Sequence, residues 1–263
     1  TSGKAKATVK SLPATDFPVF PVPKTKVCTI PGALMMKINT LFVPFVVQDE
    51  SSSVLQGVYM VCKDRKLKIL TTDHYRASYL NTEFNSEDFE INIPARGKSI
   101  LKECSDDTEV WIAENNGVVV LKTEYGDFAS TLLENNFPNT WAAFEKMTEA
   151  SFSTIKVDSN ALLSATRLVA VMSNSVNHRV ELAVTKNAVL VTSSEQEKGD
   201  SEHTVACELT GDTFSVKLDS NYLCQILEPL KSLDLLIKYA PGFFFAISID
   251  GKDDFSHGIS PLG

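Results

Sequence analysis

Basic side chains recur on the polar side of segments with helical periodicity, and grouped cations are well suited to binding phosphate. Lys98 and Lys102 are four residues apart, which predicts one shared helix face opposite the apolar side chains of that segment. In two other segments Lys37 lies at the shoulder of the apolar stripe and Arg167 lies opposite it. A solvated helix face produces the same pattern, so the spacing alone leaves phosphate binding and plain solvation both open.

Groups that could make or break bonds are not arranged for catalysis. The acidic pairs at 106–107 and 253–254 lie in polar, turn-like stretches, where carboxylates are usually solvated. The sequence contains no Walker loop and no GxSxG, HExxH or GxGxxG motif, and its four histidines are scattered. We therefore expect no catalytic site, no metal and no cofactor. Five widely spaced cysteines in apolar surroundings predict buried free thiols and a cytoplasmic location.

Composition and charge narrow the class of protein. The chain has 263 residues, of which 43% are hydrophobic and 22% charged, as in a globular protein of about two domains. No apolar run approaches the ~18 residues of a membrane span, so we expect no membrane association. The formal net charge of -8 would repel phosphate if it were spread evenly. Nucleic-acid binding would therefore require cations gathered on one surface.

The elements that must position these cations come from an internal repeat. The stretch 110–120 has the pattern of 235–245, a strand, a polar turn with Gly and a second strand, and the glycines coincide. The stretch 57–72 matches 179–193 in the same way if one residue is skipped. Each repeat therefore contains at least two β-hairpins.

A helix is predicted before or beside each hairpin. Two of these helices follow Ile-Pro, at 30–31 and 93–94, and two follow Asp-Ser-Asn, at 158–160 and 219–221, where Asp suits the N-cap. Four similar units of strand, helix and antiparallel strands result. They predict two domains, at 24–140 and 141–263.

The first 23 residues do not join the repeat. An alternating segment at 4–12 predicts a strand, and the Pro-rich stretch 16–23 predicts a linker. Phe-Pro recurs in the connector between the two predicted domains, at 137–138. We therefore expect residues 1–23 to be the terminal strand and linker of a preceding domain of the same kind.

These residues resemble the sliding clamp family, the beta subunit of bacterial DNA polymerase III. The resemblance rests on Leu55-Gln56-Gly57, on the strand end 70–76 (LTTDHYR), on the linker-like stretch 11–18 (SLPATDFP), and on Ser173-Asn174 followed by 178–182 (HRVEL). It implies an α+β fold of two consecutive clamp domains. Each domain would be a pseudo-two-fold pair of strand-helix-antiparallel-strand units, with helices on the concave face and sheets outside.

The resemblance also implies a ring around double-stranded DNA, held without sequence specificity. The lining cations would be Lys37, Arg96, Lys98, Lys102 and Arg167. In the family the ring joins one subunit's third domain to the next subunit's first domain, which places Val171 and Met172 near that joint. Met172 equally fits the apolar stripe of its own helix. The full-length protein is expected to form a homodimeric ring and the present chain a monomer.

Family clamps also capture short hydrophobic peptides from DNA polymerase and clamp-loader subunits in a pocket between the second and third domains. The matching positions here are Leu55, Thr72, Tyr75, Arg76, Pro138, Ala143, Pro241, Phe243, Ile259, Pro261 and Leu262. Two departures affect this pocket. The family pattern has Gly-His where this chain has His74-Tyr75, and the tail 259–263 lacks the usual Arg.

Other functions remain open on the sequence. A two-domain subunit of a trimeric clamp, of the eukaryotic and archaeal type, fits the length of 263 residues. The orphan leading strand and linker count against it. A protein-interaction module without catalytic activity is a more remote possibility. An enzyme is remote as well, since no set of nucleophile, base and orienting residue is present.

Overall fold

A computed structural model describes residues 8, 10–16, 18–49, 52–97, 99–114, 117–146 and 152–263. Lys98 lies outside the described residues, as does most of the predicted strand at 4–12. The described members of that stretch, residues 8 and 10–12, are not in a strand, and a short 3₁₀ helix follows at Ala14–Asp16.

The described chain contains seventeen strands and four α-helices. The strands are β1 Pro23–Ile30, β2 Gly57–Lys63, β3 Lys66–Thr72, β4 Arg76–Glu83, β5 Phe89–Pro94, β6 Thr108–Ala113, β7 Val118–Thr123, β8 Gly126–Thr131, β9 Ser153–Asp158, β10 Arg179–Val184, β11 Ala188–Glu195, β12 Gly199–Ala206, β13 Glu208–Thr210, β14 Phe214–Asp219, β15 Asp234–Tyr239, β16 Phe245–Ile249 and β17 Lys252–Ile259. The helices are α1 Gly32–Leu41, α2 Trp141–Lys146, α3 Ser159–Ala170 and α4 Ser220–Leu227. Further 3₁₀ helices span Val43–Phe45, Ser53–Gln56, Ile100–Glu103 and Glu228–Leu230.

The sheets repeat one plan in two modules, which we call the N-terminal module (24–140) and the C-terminal module (141–263) after the predicted division. One sheet of the N-terminal module has the order β1-β6-β7-β8, and the C-terminal module repeats it as β9-β15-β16-β17. The other has the order β5-β2-β3-β4, repeated as β14-β10-β11-β12. The predicted α+β fold of two like modules is therefore confirmed.

The register of the hairpins corrects two details of the repeat. Cys62 pairs with Leu67, and Val184 pairs with Val189, so both strands share an offset of 122 and no residue is skipped. In the second hairpins the innermost pair is Ile112 with Val119 in the N-terminal module and Lys238 with Ala246 in the C-terminal module. Four residues separate β6 from β7 and five separate β15 from β16, so the turn of the C-terminal module is one residue longer.

The predicted Asp caps are both present. The Asp158 carboxylate accepts a hydrogen bond from the Ala161 N–H at 2.7 Å, and the Asp219 carboxylate accepts one from the Asn221 N–H at 2.7 Å. At α1 the first N–H, of Gly32, donates instead to the Asp107 carboxylate at 2.8 Å. One member of the 106–107 acidic pair is therefore a helix cap contributed from a distant segment.

The predicted helix from Pro94 to Cys104 is wrong. Pro94 ends β5, and the Ala95 N–H donates to the Gln56 carbonyl at 2.8 Å, which continues the strand. Gly97 then has a φ of +63°, a conformation that leaves the helical region. Ser99 caps only the 3₁₀ turn Ile100–Glu103, so the cap signal of this segment lies five residues later than predicted.

The apolar face of α1 is buried in part. Its buried side chains are Met35, Ile38 and Leu41, while Leu34 is only partly buried. Four cysteines are buried free thiols, and Cys224 is half-buried.

The two modules are joined by a shared sheet. β17 of the C-terminal module pairs antiparallel with β4 of the N-terminal module, with His257 opposite Ser78 and Ile259 opposite Arg76. The result is one nine-stranded sheet, of order β13-β9-β15-β16-β17-β4-β3-β2-β5. We call the β4–β17 pairing and the side chains packed on it the junction.

Candidate functional site: a cleft at the junction

The turn between β3 and β4 is held by its own side chains. The Asp73 carboxylate accepts hydrogen bonds from the N–H groups of Tyr75 and Arg76, at 3.2 and 3.0 Å. The Thr72 hydroxyl donates to the Arg76 carbonyl at 2.8 Å. His74 has a φ of +75° at the tip of this turn, and Tyr75 projects from it with 61% of its surface exposed. The turn therefore presents Tyr75 to solvent on a fixed backbone.

Arg76 connects this turn to the C-terminal module. Its Nε donates to the Asp73 carboxylate at 2.8 Å, and its Nη1 donates to Gln225 Oε1 at 2.5 Å. The guanidinium lies between the rings of Phe45 and Tyr222, 4.7 and 4.5 Å from their centroids. Since only 8% of Arg76 is exposed, it acts mainly as a tie between modules and reaches a ligand only at its edge.

A buried histidine lies beneath Arg76. His257 Nδ1 is 2.7 Å from the Ser78 hydroxyl, and its ring packs edge-on against Phe45 and Phe255 at 4.7 and 4.6 Å. Burial, and then the nearby Arg76 charge, lower the pKa of His257 to about 3. Its Nε2 is buried and has no partner among the described residues. Ser78 and His257 are fully buried, so this hydroxyl–imidazole pair is closed to any substrate.

The C-terminal tail runs along the same turn. The Ser260 N–H donates to the Tyr75 carbonyl and the Leu262 N–H donates to the Lys217 carbonyl, both at 2.8 Å. Ile259 is buried, whereas Pro261 and Leu262 are partly exposed. The tail is therefore tied to both modules, beside Tyr75.

A cleft of about 640 Å³ opens between these elements. It is lined by Pro44, Val46, Val47, Gln48, Asp49, Asp73, His74, Tyr75, Arg76 and Tyr222. Of the predicted peptide-binding residues, Tyr75 and Arg76 line the cleft directly. Thr72 and Ile259 contact the Arg76 backbone, through a hydrogen bond and through strand pairing. Sequence reasoning missed the 44–49 segment and Tyr222. The one signal for Tyr222 was its position on α4, beside the buried stripe.

A second group of predicted residues lies on the outer surface of the same strands, in what we call the aromatic cluster. It contains Val47, Leu55, Tyr59, Leu70, Ala77, Tyr79, Phe137 and Phe144, with Val54, Val61, Trp141 and Phe244 packed against it. Leu55 is thus a cluster member, and Pro138 and Ala143 flank the cluster residues Phe137 and Phe144 in sequence. Val47 belongs to the cluster and also lines the cleft, so the two sites adjoin.

Pro241 and Phe243 are placed elsewhere. Both lie in the longer turn between β15 and β16, and Phe243 packs edge-on against Phe152 at 5.1 Å. Among the residues that line the cleft neither is present. Their neighbour Phe244 reaches the aromatic cluster instead.

The described members of the predicted DNA-facing set are exposed, and Lys37 and Arg167 each lie beside an acid. Lys37 Nζ lies 3.9 Å from the Asp254 carboxylate. Arg167 and Lys231 both bind the Glu228 carboxylate. Arg96 is exposed in the bend after β5, and Lys102 Nζ donates to the Gly97 carbonyl at 3.1 Å. These four described cations therefore lie on four separate segments of the chain.

The end of α3 and the residues that follow it carry exposed apolar side chains. Val171 is 68% exposed, Val176 is 87% exposed and Leu168 is 54% exposed, while Met172 is partly buried. α3 packs against β12, which ends its sheet. These side chains, which we call the α3 patch, therefore lie at the open end of the C-terminal module.

Within the described part of the chain, no helix has the length and apolar character of a membrane span. Among the described residues, no group of three or more His, Cys, Asp or Glu side chains is placed to hold a metal ion.

Comparison with known proteins places this geometry in a family. The family models described as "DNA polymerase III beta subunit, central domain" and "C-terminal domain" match residues 33–139 and 149–262. The "Beta sliding clamp" of Streptococcus pneumoniae serotype 4 is 26% identical over 275 residues, covering all of this chain and 71% of that protein. The protein of the same name from Escherichia coli K12 is 22% identical over 88% of this chain and 63% of its own length.

Solved structures show the same fold. A structure described as the DNA polymerase sliding clamp from Bacillus subtilis matches all of this chain with a TM-score of 0.86 at 20% identity, over 71% of its own length. The DNA polymerase III beta chain from Streptococcus pneumoniae matches with a TM-score of 0.84 at 24% identity, over 72% of its length.

Proposed function

The chain belongs to the family of the DNA polymerase III beta subunit, the DNA sliding clamps, and we propose that it acts as an arc of a ring. The ring holds duplex DNA and docks replication proteins, without catalysing a reaction. The observation that carries this proposal is the junction, because it fuses two like modules into one continuous sheet. A ring extends by repeating that joint.

Both ends of the arc carry one half of the same joint. β12 holds the place in its sheet that β4 holds at the junction, and β8 holds the place of β17. β8 and β12 each end their sheet within the described residues. We propose that a strand equivalent to β17 from a second subunit covers β12 and the α3 patch, including Val171 and Met172. In a chain with a preceding clamp domain this closes a homodimeric ring.

We propose that the cations on and beside α1, the 100–103 turn and α3 face the DNA. Lys37, Arg96, Lys102 and Arg167 are exposed, and Lys98 belongs to this proposal from its sequence position alone. The acids beside Lys37 and Arg167 weaken the local positive potential. Weak phosphate contacts fit a surface that must slide, because no base is read and no contact is tight.

Charge reversal tests this surface. Lys37→Glu with Arg167→Glu is expected to weaken binding of a labelled 30-base-pair duplex and to lower the salt slope by roughly one for each lost phosphate contact. Fluorescence anisotropy between 20 and 150 mM salt measures both quantities. The matched control is Lys63→Glu with Lys66→Glu, at the exposed β2–β3 turn, which changes the net charge equally. Equal losses in both double variants would reduce the effect to net charge and remove the proposed DNA face.

We propose that the cleft binds short peptide segments with apolar side chains, carried by DNA polymerase and clamp-loader subunits. Pro44, Val46 and Val47 supply an apolar wall, and Tyr75 and Tyr222 stack at 6.1 Å along the other side. Leu and Phe side chains suit such a wall, while backbone groups of the 72–76 turn orient the peptide. Tyr75, in place of the smaller family residue, makes the cleft entrance aromatic.

Peptide titration tests the cleft. A fluorescein-labelled decapeptide of Gly, Ser and Asp with one Leu-Phe pair is expected to bind, and a peptide lacking that pair is not. Tyr75→Ala and Leu262→Asp should each weaken binding about tenfold, as expected for an aromatic anchor and an apolar rim. Tyr125→Ala, at an exposed turn far along the N-terminal module, is the matched control. Unchanged affinity in both cleft variants would show that the peptide binds elsewhere.

A further inference from the structure

Helix α2 occupies the outer surface of the junction with its own side chains. We propose that α2 is an intrinsic competitor for the peptide site, in which Phe144 fills the position that an apolar side chain of a docking protein must take. This inference rests on the proposed peptide docking and adds its regulation. The partner it commits to is a peptide with a Leu or Phe anchor, which replaces the Phe144 ring.

The Phe144 ring is buried between aromatic side chains of the two modules. It stacks on Tyr79 at 5.3 Å with the ring planes 17° apart, and it meets Phe244 at 5.6 Å. Only 5% of Phe144 is exposed, although α2 is a six-residue helix beside the domain connector. Phe144 is therefore the one buried side chain of α2, and it inserts among aromatic residues of both modules.

The backbone beneath the ring leaves room for it. A Cβ atom at Gly258 would stand 3.1 Å from Phe144 Cζ and 3.2 Å from Phe244 Cγ. Gly258 lies in β17, opposite Ala77 of β4. The junction therefore carries two small residues at the place where the ring inserts, and together they form a receptor for one large apolar side chain.

Helix α2 also makes partly exposed polar and aromatic contacts with the N-terminal module. Lys68 Nζ lies 2.6 Å from the Glu145 carboxylate, and the Tyr79 hydroxyl donates to the same carboxylate at 3.3 Å. Lys68 also lies 5.6 Å from the centre of the Trp141 ring, which stacks at 6.4 Å on Tyr59. Partly exposed ion pairs of this kind stabilise weakly, so α2 can exchange with a competitor.

The receptor for Phe144 continues into the cleft. Val47 packs in the aromatic cluster and also lines the cleft, and its N–H donates to the Leu55 carbonyl at 2.9 Å. A peptide whose backbone lies in the cleft can therefore place an apolar side chain past Val47. That side chain and Phe144 cannot occupy the same space, so peptide binding requires α2 to withdraw.

The test uses the whole chain with Trp111→Phe, which leaves Trp141 as the single tryptophan and a reporter of α2. Phe144→Ala empties the receptor, and Glu145→Lys removes the contacts with Lys68 and Tyr79 while leaving the ring in place. Phe89→Ala, a partly buried ring at the far edge of the same sheet, is the matched control for a general loss of packing. The probe is the labelled Leu-Phe decapeptide, and circular dichroism melts verify that each variant is folded.

We expect Phe144→Ala and Glu145→Lys to bind the peptide about tenfold and about threefold more tightly than the parent, with Phe89→Ala unchanged. Peptide binding to the parent should also change the Trp141 emission. If Phe144→Ala is the one variant that binds the peptide, α2 blocks the peptide site completely in the parent chain, which also supports the competitor role. Equal or weaker binding by both α2 variants, with an unchanged Trp141 signal, would overturn the competitor role and leave peptide docking intact. Absence of binding in every folded variant would overturn peptide docking itself.

Discussion

The segments that follow α1 and α3 hold the same place in their modules but have opposite environments. After α1, Phe42 and Phe45 are fully buried and pack against Phe255 and His257 of β17. After α3, Val171 and Val176 are exposed. The strands beside them differ in the same way, since β4 is largely buried and β12 is largely exposed.

In the N-terminal module the segment after the helix receives β17 of the next module, and its apolar residues are core. In the C-terminal module the exposed apolar residues at 168, 171 and 176 have no cover among the described residues. We propose that they receive the equivalent strand of a second subunit, so substitutions at equivalent places of the two modules should have different effects.

The largest expected difference concerns the side chains that follow the two helices. Phe45→Ala should lower the free energy of unfolding by about 3–5 kcal/mol, because it leaves a cavity beside His257 and removes one face of the Arg76 sandwich. Val171→Ala should change that free energy by less than ~0.5 kcal/mol. Urea unfolding followed by far-UV circular dichroism measures both. Similar losses in the two variants would show that the α3 patch is core.

A smaller difference is expected in the response to pH. An unfolded histidine has a pKa of roughly 6.5, and burial lowers the pKa of folded His257 to about 3. Between these values only the unfolded chain binds the proton, so stability falls as the pH falls, by about 1.4 kcal/mol per pH unit. From pH 6.5 to 5 the loss attributable to His257 is about 2 kcal/mol.

The matched variants are His257→Gln and His203→Gln. Urea unfolding at several pH values should show that the first variant loses this part of the slope and that the second retains it, since His203 on β12 is exposed. A slope that His257→Gln leaves unaltered would assign the acid sensitivity to other groups.

The smallest difference concerns two serines at equivalent positions of β4 and β12. Ser78→Ala removes the hydroxyl bonded to His257 and should cost about 1 kcal/mol. Ser201→Ala, on the open strand, should be neutral within ~0.5 kcal/mol. Thermal unfolding of the two variants side by side measures the contrast, and a cost for Ser201 equal to that for Ser78 would contradict it.

Local patterns in the sequence were sufficient for much of the fold. Period-two alternation with short polar turns located the hairpins at 57–72, 110–120, 179–193 and 235–245, and Asp158 and Asp219 marked two helix starts. These signals were sufficient because hairpin and cap geometry depend on residues within a few positions of each other. The Pro94 signal failed because the residue is tolerated equally at the end of a strand and at the start of a helix.

The candidate site was predictable only in part. The turn at 72–76 was found from its motif, whereas Tyr222 and Gln225 come from the distant helix α4. Gln225, which bonds Arg76, lies 149 positions further along the chain. The assignment of Pro241 and Phe243 placed them in the same pocket, but the structure holds them in the turn between β15 and β16, where Phe243 packs against Phe152. No local pattern reports this placement, because it depends on contacts that the turn makes with residues distant along the chain.

The sequence by itself determined the two like modules, four of their hairpins, two of the helix caps and the clamp family, because each depends on short-range pattern or on repeated motif. Only the tertiary structure decided that β17 crosses to β4, that Arg76 lies between Phe45 and Tyr222, and that Phe144 fills the outer surface of the junction. Those contacts join segments that are distant along the chain. Their partners are selected by which buried surfaces fit one another when the two modules share a sheet, and no single segment encodes that fit.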